Sequence, residues 1–138
     1  MLINIKKVNK KAIIPTHGSQ YGAGYDLYAC TETMTVIPPH QTVKLRTGLA
    51  IELPHGYFGA IVGRKGLSSR QGLRVCQGVA IVDEDYRGEL VVDLHNDTDV
   101  PQTINPMEQV ALLIVVPYMP LDFNEVDELS KTKRGSAD

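Results

Sequence analysis

In the stretch VAIVDEDYRGEL, residues 79–90, four apolar residues lead straight into Asp83, Glu84 and Asp85, followed by Tyr86, Arg87, Gly88 and Glu89. A carboxylate where a buried strand surfaces, as Asp83 is, can be held by its neighbours and aimed at one water molecule as a general base. Tyr86 adds a flat ring of the kind that walls a small ligand. The competing reading is a polar hairpin tip, with Glu84, Asp85 and Arg87 as solvated turn residues.

Three further clusters could do chemistry. In GRKGLSSRQG, residues 63–72, Arg64 and Lys65 stand between glycines ahead of a short helical pattern. Glycines allow close approach to a ligand, and a helix start offers unpaired amides to an anion. Arg64 can grip a phosphate with two parallel hydrogen bonds, while Lys65 acts as a point charge. The spacing is not that of a P-loop. In GAGYDLYA, residues 22–29, Asp26 is a lone acid among apolar and aromatic residues. It is either a strand-end carboxylate satisfied by a nearby amide or arginine, or a group that positions a phosphate-binding arginine or metal-bound waters. In TKRGSAD, Lys133 and Arg134 sit on a polar tail, where an arginine can be solvated or can close over an anion. The four histidines, His17, His40, His55 and His95, have no metal spacing and receive no role.

The elements that must position these residues read as β. LINIKKV, MTVIPPHQTVKLRTGLAIELP, YFGAIVG, LRVCQGVAIV, GELVVDLHN and QVALLIVVPY are short, β-branched runs bounded by turn residues. The 12 glycines and 8 prolines are spread along the chain at strand ends rather than pooled in a linker. An all-β barrel or jelly roll follows, with one short helix over 66–72 that Gly72 would cap. The 138 residues suit one domain, residues 1–120, and an acidic then polar tail, residues 121–138, reads as a flexible arm. A net charge of −2 gives no global attraction to nucleic acid or anionic membrane. The N-terminus lacks the apolar core of a signal peptide, and no run reaches membrane-spanning length. Cys30 and Cys76, both flanked by apolar residues, are expected to be buried free thiols in a reducing, cytoplasmic setting. Asn96-Asp97-Thr98 has the spacing of a glycosylation acceptor, which is set aside in a chain without secretory features.

In order, AGYDLYA, GRKGLSSRQGL, GVAIVDEDYRGE, VALLIVVPY and the final KRG resemble the five motifs of the trimeric dUTPases, the deoxyuridine triphosphate nucleotidohydrolases. The resemblance implies a β-clip, or distorted jelly roll, of about a dozen strands. It implies a homotrimer with active sites between subunits and an arm from a third chain closing over each. The implied reaction is attack of water on the α-phosphorus of dUTP with Mg²⁺, giving dUMP and pyrophosphate. The metal would be held through the substrate phosphates. Asp83 would deprotonate the water. Tyr86 would pack on the deoxyribose and exclude a 2′-hydroxyl. The strands before Asp83 would form a hairpin that reads uracil, with Gln77 where the family often has a base-contacting Asn. Arg64 and Gly66 map onto the phosphate loop, Arg134 onto the arm arginine, and Asp26 near the phosphates. Asp85, Arg87 and Glu89 would hold the turn and its interface.

The chain departs from the family pattern at several positions. Lys65 replaces a phosphate-loop serine, Leu112 a phosphate-binding amide, and Ala80 a glycine of the uracil hairpin. Met107 and Gln109 replace a glycine and an arginine of the turn before the motif VALLIVVPY. Past RGSAD the family continues into a Gly-rich segment with a Phe that stacks on uracil. These departures leave two alternatives: a weak or inactive dUTPase-like protein that binds nucleotide or a regulatory protein partner, and a dCTP deaminase-like enzyme. Lys65 argues against the second, which needs a serine in that loop.

Overall fold

A computed structural model describes residues 1–137, the side chains of residues 68–70 excepted. Among the described residues there are eleven strands and one helix: β1 (Asn4–Lys7), β2 (Thr16–His17), β3 (Tyr25–Tyr28), β4 (Thr35–Ile37), β5 (Thr42–Glu52), β6 (Tyr57–Val62), α1 (Lys65–Arg70), β7 (Leu73–Val75), β8 (Val79–Val82), β9 (Glu89–Asn96), β10 (Gln102–Ile104) and β11 (Gln109–Pro117). All strand pairs are antiparallel. One sheet has the order β1-β5-β9-β7, a second β2-β3-β11-β6-β8, and β10 pairs with β4 alone. The expected all-β fold class is therefore observed, as is the short helix.

Period-two sequence builds the core. Along β9, Leu90, Val92, Leu94 and Asn96 are buried while the residues between them are only partly so. Leu45, Leu90, Val92 and Leu94 of the first sheet join Leu27, Ile61, Val110 and Leu113 of the second in one apolar cluster. Asn96 is the polar exception. Its amide donates to the carbonyls of Ile37 (3.0 Å) and Val100 (2.8 Å), and its oxygen accepts from Thr98. The bonds tie the end of β9 to β4, so the residue that had the spacing of a glycosylation acceptor is a buried connector.

The expected hairpin before Asp83 is corrected. β7 pairs with β9, whereas β8 pairs with β6 in the other sheet. The two strands leave one turn, in which Gly78 N–H donates to the Val75 carbonyl at 2.9 Å, and then diverge. Gly78 sits at φ +77°, where a side chain would be strained. Each strand is consequently the edge of its own sheet. The expectation of two buried thiols also needs correction: Cys30 is half-buried, but Cys76 is exposed. Alternation explains it, because Leu73 and Val75 point inward and Cys76 falls on the outward phase. Asp26 lies within β3 rather than at a strand end.

The helix begins one residue earlier than expected, at Lys65, and Gly72 (φ +67°) follows its end as anticipated. No helix is long and apolar enough to cross a membrane among the described residues. Residues 118–137 carry no strand or helix and are exposed throughout.

Candidate active site

The strand β8 ends in a four-residue turn, Asp83 to Tyr86, closed by Tyr86 N–H donating to the Asp83 carbonyl at 3.1 Å. Asp83 and Tyr86 are thus the first and last residues of a single turn. The turn borders a cleft of about 710 Å³ that Phe58, Ile81, Asp83, Glu84 and Tyr118 help to line. The Asp83 side chain is exposed and makes no hydrogen bond or ion pair among the described residues. Tyr86 folds back so that its hydroxyl donates to the Glu89 carbonyl at 2.9 Å. Its ring occupies the space above Gly88, where an added Cβ would lie 2.6 Å from Cζ of Tyr86.

The rest of the motif braces this turn, as expected of Arg87 and Glu89. Arg87 donates to the carbonyls of Glu84 (2.7 Å) and Tyr86 (3.3 Å) and pairs with Glu52. Glu89 accepts from the Gly48 amide at 2.9 Å and pairs with Arg46. Asp85 is exposed and makes no such bond among the described residues. Glu84 accepts bonds from His55, the Gly56 amide and the Tyr118 hydroxyl. The hydrogen bond with His55 leads in holding its carboxyl below the usual carboxylate range, with the Gly56 amide and the charges of His55 and Arg87 acting in the same direction and desolvation opposing them.

A second cleft, of about 620 Å³, gathers Asp26, Arg64, Lys65, Gly66 and Leu112 beside the glycine-rich loop 18–24. Asp26 is buried and accepts from Arg64 Nε at 3.3 Å and from the Gln109 amide at 3.2 Å. The same amide group donates to the Tyr28 hydroxyl, which is hydrogen-bonded to Thr16. The acid is satisfied by an amide and an arginine, as the first reading of Asp26 has it. Arg64 is also the N-cap of α1, but its side chain does not cap, and the first turn holds no acid. Leu112 faces Asp26 across β3 and β11 and packs on Gly24, where a Cβ would stand 3.1 Å from its own Cβ. The cleft therefore has an apolar wall where the family pattern has an amide.

The two clefts lie at opposite ends of β6. Asp83 follows Val82, which is opposite Gly59, whereas Arg64 lies beyond Val62 at the other end. At about 3.3 Å per residue the separation is on the order of 15–20 Å. Gln77 is exposed in the turn between β7 and β8 and donates to Asp93 at 3.2 Å. Arg134 lies on the exposed tail, with Nε donating to the Ala137 carbonyl. Neither lines the two clefts. No three His, Cys, Asp or Glu side chains gather as metal ligands among the described residues.

Sequence reasoning passed over Gln109 as an organiser of Asp26, His55 and Tyr118 as anchors of the turn, and Gly88 as the seat of the Tyr86 ring. Only Gly88 carried a local signal, a glycine two residues after the aromatic.

The family model described as dUTPase matches residues 10–138. The chain belongs to the dUTPase family. A deoxyuridine 5′-triphosphate nucleotidohydrolase of Hydrogenobaculum is 37% identical over 134 residues, spanning 97% of this chain and 92% of that protein. The Bordetella pertussis protein of the same description is 36% identical over 135 residues, spanning 97% and 91%. The Desulfitobacterium hafniense one is 38% identical over 128 residues, spanning 92% and 85%. None of these three is described as a deaminase. In fold, the chain is similar to the dUTPase of Staphylococcus bacteriophage 80alpha solved with dUpNHpp, at TM-score 0.89 and 24% identity over 98% of this chain and 94% of that one. The dUTPase of phage phi11 of S. aureus superposes at TM-score 0.84 with 22% identity, over 96% of this chain and all of that one.

Proposed function

We propose that the chain hydrolyses dUTP to dUMP and pyrophosphate, as a homotrimer whose sites are completed across subunits. The observation that carries this reading is the single turn that presents Asp83 and Tyr86 beside β8, an edge strand that diverges from β7. Unpaired backbone groups along two diverging edges offer donors and acceptors to a pyrimidine edge. Groups matched to uracil would be left unpaired by cytosine, which penalises the wrong base. Tyr86 would lie against the deoxyribose. Asp83 would accept the proton of the water that attacks the α-phosphorus. Arg64, held by Asp26, would bind phosphate oxygens with its planar fork, and Lys65 would add charge without the geometry of a serine hydroxyl.

Because Asp83 and Arg64 lie near opposite ends of β6, the arginine that serves each aspartate would come from a second copy. Arg134 on the exposed tail would come from a further copy. A magnesium ion suits this donor set, since Mg²⁺ is commonly held by one or two carboxylates and substrate phosphates rather than by a protein cage. When bound, it would offset the triphosphate charge. A cytoplasmic location fits the two free thiols.

The test is release of pyrophosphate from dUTP by the purified chain. Asp83→Asn is expected to lower kcat by about 10²–10⁴-fold with the fold intact. An unchanged rate in that variant would exclude Asp83 as the base.

A further inference from the structure

We infer that Glu84 is a positioning residue for Asp83 and Tyr86, fastening the turn that carries both to the β5–β6 connection and to the first residue after β11. The inference rests on the assignment of Asp83 as the base. Glu84 is the second residue of that turn. Its Oε2 lies 2.9 Å from His55 Nδ1, and its Oε1 accepts from the Gly56 amide at 3.3 Å and from the Tyr118 hydroxyl. Tyr118 N–H in turn donates to the Gly56 carbonyl at 3.0 Å, which closes the ring of contacts. Two chain segments far from the turn in sequence, His55–Gly56 and Tyr118, thus converge on one carboxylate. Glu84 is not the solvated tip residue that its place in an acidic run suggested; its side chain is only 24% exposed.

The need for such an anchor follows from the turn itself. One hydrogen bond closes it from Tyr86 to Asp83, and Arg87 holds the carbonyls of Glu84 and Tyr86 from one side; the Glu84 carboxylate is what ties it to the β5–β6 connection and to Tyr118 on the other. A general base must stay within hydrogen-bond reach of its water, and a displacement of about 1 Å can cost on the order of 10²-fold in rate. On the proposed reading Arg64 of another copy holds the phosphates while the turn carries the base, so loosening the turn should fall more on turnover than on substrate affinity, with the Tyr86 contact to the sugar giving at most a modest rise in KM.

Steady-state kinetics with dUTP tests this. Glu84→Ala should lower kcat about tenfold or more while KM changes less than about threefold. Glu84→Gln, whose amide oxygen still accepts from Gly56 or Tyr118, should recover most of the loss. Two milder variants guard against misfolding: Tyr118→Phe keeps the ring, and His55→Ala alters a side chain that is 94% exposed. Each should lower kcat about two- to fivefold. Unchanged kcat in Glu84→Ala, or in both milder variants, would overturn the proposal, as would a lowered Tm with kcat intact. Asp83→Asn measured alongside separates the two claims. If it stays fully active, the base assignment fails; if it is dead while Glu84→Ala is fully active, only the anchor fails.

Discussion

Gly88 lacks a side chain at a place where the Tyr86 ring already stands, and with Tyr86 against the sugar as proposed the contact would bear on selectivity. A methyl group there would overlap Cζ of Tyr86, and the ring, exposed on its other side, would have to swing away. Gly88→Ala should therefore mimic Tyr86→Ala: both variants should lose discrimination of dUTP against UTP, measured as the ratio of kcat/KM values. About 1–3 kcal/mol of discrimination, or 10- to 200-fold, is the scale of one steric contact of this kind. Retained selectivity in Gly88→Ala would mean that the sugar is sensed elsewhere. Asn96 makes the opposite point about single residues. Its local sequence pointed outward, to a modification, while its 0% exposure and four bonds belong to the interior. Nothing within three residues could have distinguished the two.

Among the elements, the turn that leads into β11 carries a cost that sequence comparison already marked. Met107 occupies φ +60°, where the family pattern has a glycine. A side chain in the left-handed region costs about 1–2 kcal/mol, partly offset by the half-buried methionine. Met107→Gly should raise stability by ~0.5 kcal/mol, or Tm by about 1–3 °C, read by thermal or denaturant unfolding; a lower Tm would mean that the methionine packing dominates. The long strands β5, β9 and β11 were legible because their alternation or apolar length exceeds that of any turn. β2 and β10, of two and three residues, are too short to show a period. The hairpin of β7 and β8 was expected from the resemblance, and their true partners β9 and β6 left no local trace because they are set by packing across the whole domain. For the site, Asp83 and Asp26 were visible as acids beside or within apolar runs, and Arg64 as a basic residue between glycines ahead of a helix. Their anchors Gln109, His55 and Tyr118 were not, since contacts 29 to 83 residues apart leave no local trace.

For the whole molecule, the separation of the two clefts along β6 is open to a test of assembly. The purified chain should sediment at about three times 15.2 kDa. Asp83→Asn and Arg64→Ala, each inactive alone, should regain part of the activity when unfolded together and refolded, because a mixed trimer can pair an intact aspartate from one subunit with an intact arginine from another. Absence of complementation, in mixtures proven to exchange subunits, would mean that each chain works alone.

The divergence of β7 and β8 into different sheets has a mechanical corollary. Because β7 belongs to one sheet and β8 to the other, the spacing of their edges follows from how those two sheets pack together. Val75 of β7 and Val82 of β8, both buried beneath their own strands, would then act as shims. If those edges read the base as proposed, trimming either one should shift which nucleobase is admitted, and fidelity becomes a property of the interior.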